Sequence, residues 1–134
     1  MDFLQPPHWV RPKGYANGVA ASGRTVFLSG MVGWDSQCKF VSGGFVAQAR
    51  QALANVIALL DEAGARPSDI ARMTWYIVDR KEYLACAAEL GAVYREIIGR
   101  HYPAMTVVQV VALIEEQARL EIEVTAVLPE QRGS

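Results

Sequence analysis

The sequence predicts an α+β protein, one mixed sheet with two helices on a single face, in the order β-β-α-β-α-β-β. Three observations predict it. Phe45 to Ala63 repeats apolar residues at helical spacing, and Lys81 to Gly99 does so again. Near the end, Arg119-Leu-Glu-Ile-Glu-Val-Thr-Ala-Val alternates with the two-residue period of a strand. There Leu120, Ile122, Val124 and Ala126 share one face, and Glu121, Glu123 and Thr125 the other. Two carboxylates therefore point where a second layer would lie, so that face is wet or lines a cleft. Any chemistry is expected there.

Taken in order, residues 1–13 hold three prolines and little periodicity, and are expected to form an extended N-terminal arm. Tyr15 to Ala20 and Thr25 to Gly30, joined by Ala21-Ser-Gly-Arg, carry the signal of a hairpin. Gly30 allows a bulge or the close approach of another group. Residues 33–44 are a loop. In the first helix Ala49, Ala52, Leu53, Val56, Ile57 and Leu60 form the apolar stripe, with Gln48, Gln51, Asn55 and Glu62 off it and Gly64 as the stop. Arg72 to Val78 is a strand. The second helix sets Tyr83, Cys86, Ala87, Leu90, Tyr94 and Ile97 on one stripe, and a glycine inside it, Gly91, implies close packing. Gly99 and Pro103 end it, and His101 is placed to stabilise its C-terminus when charged. The strand around Met105 to Val111 and the one from Arg119 flank the polar loop Ile114 to Ala118, and are expected to be neighbours or partners. From Pro129 the chain is a tail (129–134), and the whole, 1–134, fits a single domain.

Right-handed crossovers place both helices on one face of the sheet. The opposite face then lacks cover within the chain. Several strands carry apolar residues in both registers, such as Val107 and Val111 against Val108 and Val110, so a partner is expected to cover that face. Self-association satisfies this.

Composition narrows the partners. With a net charge of −1 and no block of like charges, the chain offers no electrostatic footprint for nucleic acid or an anionic membrane. No apolar run approaches the roughly 20 residues of a membrane span. The first residues have neither the basic nor the apolar region of a signal peptide. Two cysteines, Cys38 and Cys86, are too few for a disulfide framework and lack metal-ligand spacing. The expectation is a reduced, cytoplasmic protein with no metal and no cofactor.

Five strings occur in order across Tyr15 to Val127: Ser29-Gly30, the run from Gln48 to Gly64, Asp69-Ile-Ala-Arg-Met-Thr-Trp-Tyr-Ile, His101-Tyr-Pro-Ala, and Glu121-Ile-Glu-Val-Thr-Ala. Together they resemble the RidA/YjgF family of reactive-intermediate deaminases. The resemblance implies a chorismate-mutase-like fold and a homotrimer whose sheets pack into a central barrel, with a small-molecule cleft between each pair of subunits. It implies hydrolysis of imines and enamines to ketoacids and ammonia. It also implies cleft residues: Tyr15, the Ser29-Gly30 turn, and Glu121 as the catalytic carboxylate. Where the family carries an arginine that grips the substrate carboxylate, this chain has Met105. The asparagine often found in the family's second helix is absent too, Gly91 being the nearest match.

Methionine offers no donor in place of a guanidinium fork, and makes the cleft wall soft and apolar. The sequence thus resembles an arginine-lacking branch, for which an amino-acid imine with a free carboxylate is a poor candidate. Arg95, Arg100 and Arg119 can replace the missing group only if the fold brings them back. Trp34 and Cys38, in the loop after Ser29-Gly30, can rim the cleft. Cys38 has no base beside it in sequence to make it a nucleophile.

Each residue also has a plainer role: Glu121 a solvated strand carboxylate, Tyr15 a cover for the core edge, Met105 core packing, Gly30 a bulge. Two functions follow, a hydrolase of labile C–N bonds or a non-catalytic small-molecule binder or sensor on the same scaffold. An endoribonuclease or translation inhibitor fits less well, because no basic cluster with stacking aromatics is present.

Overall fold

The computed structural model describes residues 1–130. The first strands are β1 (Asp2–Leu4), β2 (Gly18–Ala20) and β3 (Arg24–Phe27), followed by helix α1 (Phe45–Glu62) and strand β4 (Ile70–Ile77). Two helices come next, α2 (Arg80–Ala85) and α3 (Ala87–Ile97), and then strands β5 (Ala104–Gln109) and β6 (Leu120–Leu128). The expected tail lies outside the described residues from position 131.

Strand β6 sits inside a four-stranded sheet of order β3-β6-β4-β5. It runs antiparallel to β3 and to β4, and β5 joins β4 in parallel, so the sheet is mixed. The predicted alternation holds: Leu120, Ile122 and Ala126 are wholly buried, Val124 nearly so, while Glu123 is exposed and Glu121 half-buried. Against the apolar face pack Ala49, Leu53, Val56 and Leu60 of α1 and Leu90, Val93 and Tyr94 of α3. Helices α1 and α3 thus share that face, and among the described residues no element covers the other.

Four expectations are corrected. The hairpin does not form. At Gly23 φ is +141°, and a Cβ there would lie 1.9 Å from the Leu128 carbonyl oxygen, so the chain turns tightly against the end of β6. Strand β3 is thereby delivered to β6, and β2 pairs instead with β1. The extended arm therefore contains a strand of its own.

The second helix is broken at Cys86, giving three helices. Asp79 caps α2 by accepting from the amides of Lys81 and Glu82. The break lets Tyr83 lie edge-on to both Phe45 and Trp75 while α3 keeps its own stripe on the core.

Strands β5 and β6 are not neighbours, because β4 lies between them. This also settles the register: Met73, Trp75 and Ile77 face the helices, and Tyr76 and Val108 the open side. The open face is consequently polar through Arg72, Thr106, Glu121 and Glu123, with exposed apolar groups at Phe27 and Val108. Two further apolar side chains, Val111 and Ile114, are fully exposed in the loop before β6.

Finally, Gln48 is buried rather than off the core stripe. Its amide donates to the Gln117 carbonyl at 3.0 Å and accepts from the Arg119 amide at 2.9 Å. One side chain so fixes the loop that leads into β6. Gln48→Ala strands these backbone groups and is expected to destabilise the protein by about 1–3 kcal/mol, read as a lower urea midpoint with an unchanged m-value.

Candidate functional site

The sequence-predicted residues fall into two groups on opposite sides of the sheet. The first lines a groove of about 500 Å³ on the helix side, between the α2–α3 segment and the β5 edge of the sheet. Tyr15 and Met105 both line it. A parallel bridge from Ala16 to Ala104, with the Ala16 amide donating to the Pro103 carbonyl at 2.9 Å, holds the segment after Tyr15 beside β5. The volume is that of a small-molecule site.

Its walls are more aromatic than the sequence suggested. Trp75 of β4, Tyr83 of α2, Tyr94 of α3 and Tyr102 all contribute. Tyr94 and Tyr102 stack at 5.5 Å with an interplanar angle of 13°, and the Tyr94 hydroxyl donates to the His101 carbonyl at 2.6 Å. Burial pushes the Tyr94 and Tyr83 hydroxyls above the usual tyrosine range, so both are neutral phenols at any working pH. Trp75 Nε1 is buried with no hydrogen-bond partner. Tyr83 and Tyr94 lay on the predicted core stripe, and nothing in their spacing separates a groove wall from a core. His101 does not serve the helix end as expected. Its Nε2 donates to the Ile70 carbonyl at 2.7 Å, so it fastens the start of β4.

The second group lies on the open face. Glu121 is cross-strand from Tyr76, and Glu123 from Thr74. The Tyr76 hydroxyl donates to Glu123 Oε1 at 3.1 Å, and this bond raises the phenol's pKa. Beyond β3 the chain stays on β6, with Leu28 N donating to the Val124 carbonyl and Met31 exchanging both bonds with Ile122. Three steps from Leu28 to Met31 match two from Val124 to Ile122, so Ser29-Gly30 forms a bulge with one extra residue. Ser29 is exposed on it. The Glu121 carboxylate crosses Gly30 so closely that a Cβ there would sit 2.3 Å from Oε2. Gly30 is both things foreseen, a bulge and a close approach.

Trp34 and Cys38 belong to neither group. Trp34 packs on Phe40 at 5.5 Å across a tight turn, and its carbonyl accepts from Asn55 at 2.8 Å. Asp35 organises the turn by accepting from the Lys39 and Gln37 amides, which hold its carboxyl below the usual range. Cys38 lies exposed at the tip, in a left-handed conformation with φ +59°.

A mixed four-stranded sheet with helices on one face, a groove on that side and an acidic open face defines a small α+β domain. The family model described as Endoribonuclease L-PSP matches residues 10–128. Among curated proteins, a RutC family protein of Haemophilus influenzae is 34% identical over 105 residues, 78% of this chain and 80% of that one. The human 2-iminobutanoate/2-iminopropanoate deaminase is 31% identical over 105 residues, 78% of this chain and 73% of its own. Among solved structures, a Rid-family protein of unknown function, YyfB from Yersinia pestis, superposes with a TM-score of 0.80 at 33% identity, covering 95% of this chain and 98% of that one. RidA from a Psychrobacter species gives a TM-score of 0.68 at 28% identity, covering 96% and 100%. The chain belongs to the RidA/YjgF family.

The contact of Gly30 with Glu121 is directly testable. Gly30→Ala forces the carboxylate aside and should cost stability, and Glu121→Ala should remove most of that cost. A double-mutant cycle is expected to give about 1–3 kcal/mol of coupling, measured by chemical denaturation; additive effects would show that the two residues do not interfere.

Proposed function

We propose that this Rid protein is a homotrimer that hydrolyses an imine, enamine or related labile C–N compound in a cleft between subunits, with Met105 in place of the carboxylate-binding arginine. One observation carries the reading. Within a single chain Tyr15 and Met105 line the groove on the helix side, while Gly30 and Glu121 lie on the open face. A cleft that uses both groups needs a second copy to bring its open face to the groove. Exposed Phe27, Val108, Val111 and Ile114 supply apolar surface for that contact. Two relatives named as imine deaminases, human and Salmonella typhimurium, support the reaction class. Among the described residues no helix is long and apolar enough to cross a membrane.

In this reading Glu121 accepts a proton from water as its oxygen bonds to the C=N carbon, and the nitrogen takes up a proton. In the resulting carbinolamine Glu121 passes the hydroxyl proton to the nitrogen, the C–N bond breaks, and the amine or ammonia leaves behind a carbonyl. An enamine first takes a proton at carbon to become the imine. Backbone N–H groups near the Ser29-Gly30 bulge polarise the substrate, and Trp34 with Cys38 rims the cleft entrance from the neighbouring loop. Met105 contributes shape and no charge.

Light scattering should give three times the chain mass of 14.7 kDa, and Val108→Asp should break the assembly or precipitate it. A monomeric wild type would rule out an intersubunit site.

A second measurement addresses Met105. Wild type should turn over 2-iminobutyrate barely above background and Met105→Arg should gain activity, with Glu121→Gln abolishing the gain. Because an unpaired buried charge costs several kcal/mol, the melting temperature is followed in parallel. Robust wild-type turnover would mean that another group grips the carboxylate of these short substrates.

A further inference from the structure

Of the three arginines that could replace the missing one, the fold answers differently for each. Arg119 is engaged by Glu82 in a two-pronged ion pair, both contacts at 2.7 Å. Arg100 lines a separate groove beside the N-terminal segment. Arg95 lines the same groove as Met105, from α3 rather than from the sheet. Its guanidinium lies over Gly91, where a Cβ would come 3.2 Å from Nη1. Neither ion pair among the described residues involves Arg95.

The chemistry of the remaining lining is one-sided. Lys13 is a second cation, and no aspartate or glutamate lines the groove. Trp75, Tyr83, Tyr94 and Tyr102 line the same groove. On the side of the groove that this chain supplies, two positive charges and an aromatic wall complement an anion that carries a ring.

We propose that the groove binds an aromatic carboxylate, its carboxylate held by Arg95 with Lys13 and its ring against the aromatic wall, so that α3 supplies the cation that β5 lacks. This rests on the groove being the substrate site and narrows the substrate class. Arg95 on α3 and Met105 on β5 line the groove from different elements, so a ligand that touches both walls carries more than a carboxylate, and a ring supplies that body.

The test is calorimetric titration of the intact protein with phenylacetate, phenylacetamide and acetate. Phenylacetate should bind about tenfold or more tightly than either other probe, the amide lacking the charge and acetate the ring. Arg95→Ala should weaken phenylacetate by about tenfold and leave phenylacetamide unchanged, with Arg95→Lys recovering part of the loss. Gly91→Ala should act in the same direction by a smaller factor, because the added methyl displaces the guanidinium. Its melting temperature should hold or rise, since alanine favours the helix, so unfolding cannot account for the effect.

Absence of phenylacetate binding, equal affinity for the acid and the amide, or an Arg95→Ala variant with wild-type affinity would each overturn the proposal. The outcomes separate from those of the hydrolase reading. Binding that passes these tests without turnover of any imine leaves the anion site standing and removes the hydrolase. Imine turnover with phenylacetate affinity indifferent to Arg95 does the reverse.

Discussion

The alternation along β6 is the constraint on which the rest of the molecule depends. With β3 on one edge and β4 on the other, this strand has no freedom to rotate, so its two faces are committed. One takes Leu120, Ile122, Val124 and Ala126 into the core and draws α1 and α3 onto the sheet. The other presents Glu121 and Glu123. A helix laid over them would have to strip two carboxylates of water without offering partners, which costs more than the covered area returns. The open face is therefore kept for solvent or for a surface that can pair with charge.

The groove has a different origin. It lies where α2 and α3 meet the sheet beside its β5 edge, and the break at Cys86 sets its shape. Tyr83 packs on the core edge-on to Trp75, while Tyr94 is tied through its hydroxyl to the His101 carbonyl and stacked on Tyr102. These contacts make an aromatic wall that is stiff before any ligand arrives, so little conformational freedom is left to lose on binding.

What was legible in the sequence was what depends on period: both helical stripes, the alternation of β6, the stops at Gly64 and Gly99, and the closeness signalled by Gly30. What was not legible depends on choices between distant partners. Whether β3 folds back on β2 or lies against β6 is decided at Gly23 by backbone crowding against Leu128, which leaves no periodic trace. The same holds for β4 lying between β5 and β6, and for Gln48, whose polar character hid a buried role with partners about seventy positions away. Of the candidate residues, Tyr15 and Met105 line one groove, and Gly30 lies against Glu121. The groove's tyrosines were hidden because a helical stripe looks alike whether it meets a core or a cavity. The place of Arg95 could be named only as a condition on the fold.

The closeness of Gly30 and Glu121 ties the histories of two positions together. With the Glu121 carboxylate where it lies, any side chain at position 30 must push it aside, and the atoms that stand in the way are all of the Glu121 side chain. A substitution at 30 is thus harmful or harmless according to what already stands at 121, and the order in which changes arrive matters. Loss of the carboxylate can come first and then open the bulge to other residues. The reverse path passes through a clash. Once a larger side chain has settled at 30, a returning glutamate at 121 must take another direction, away from the bulge that it now crosses.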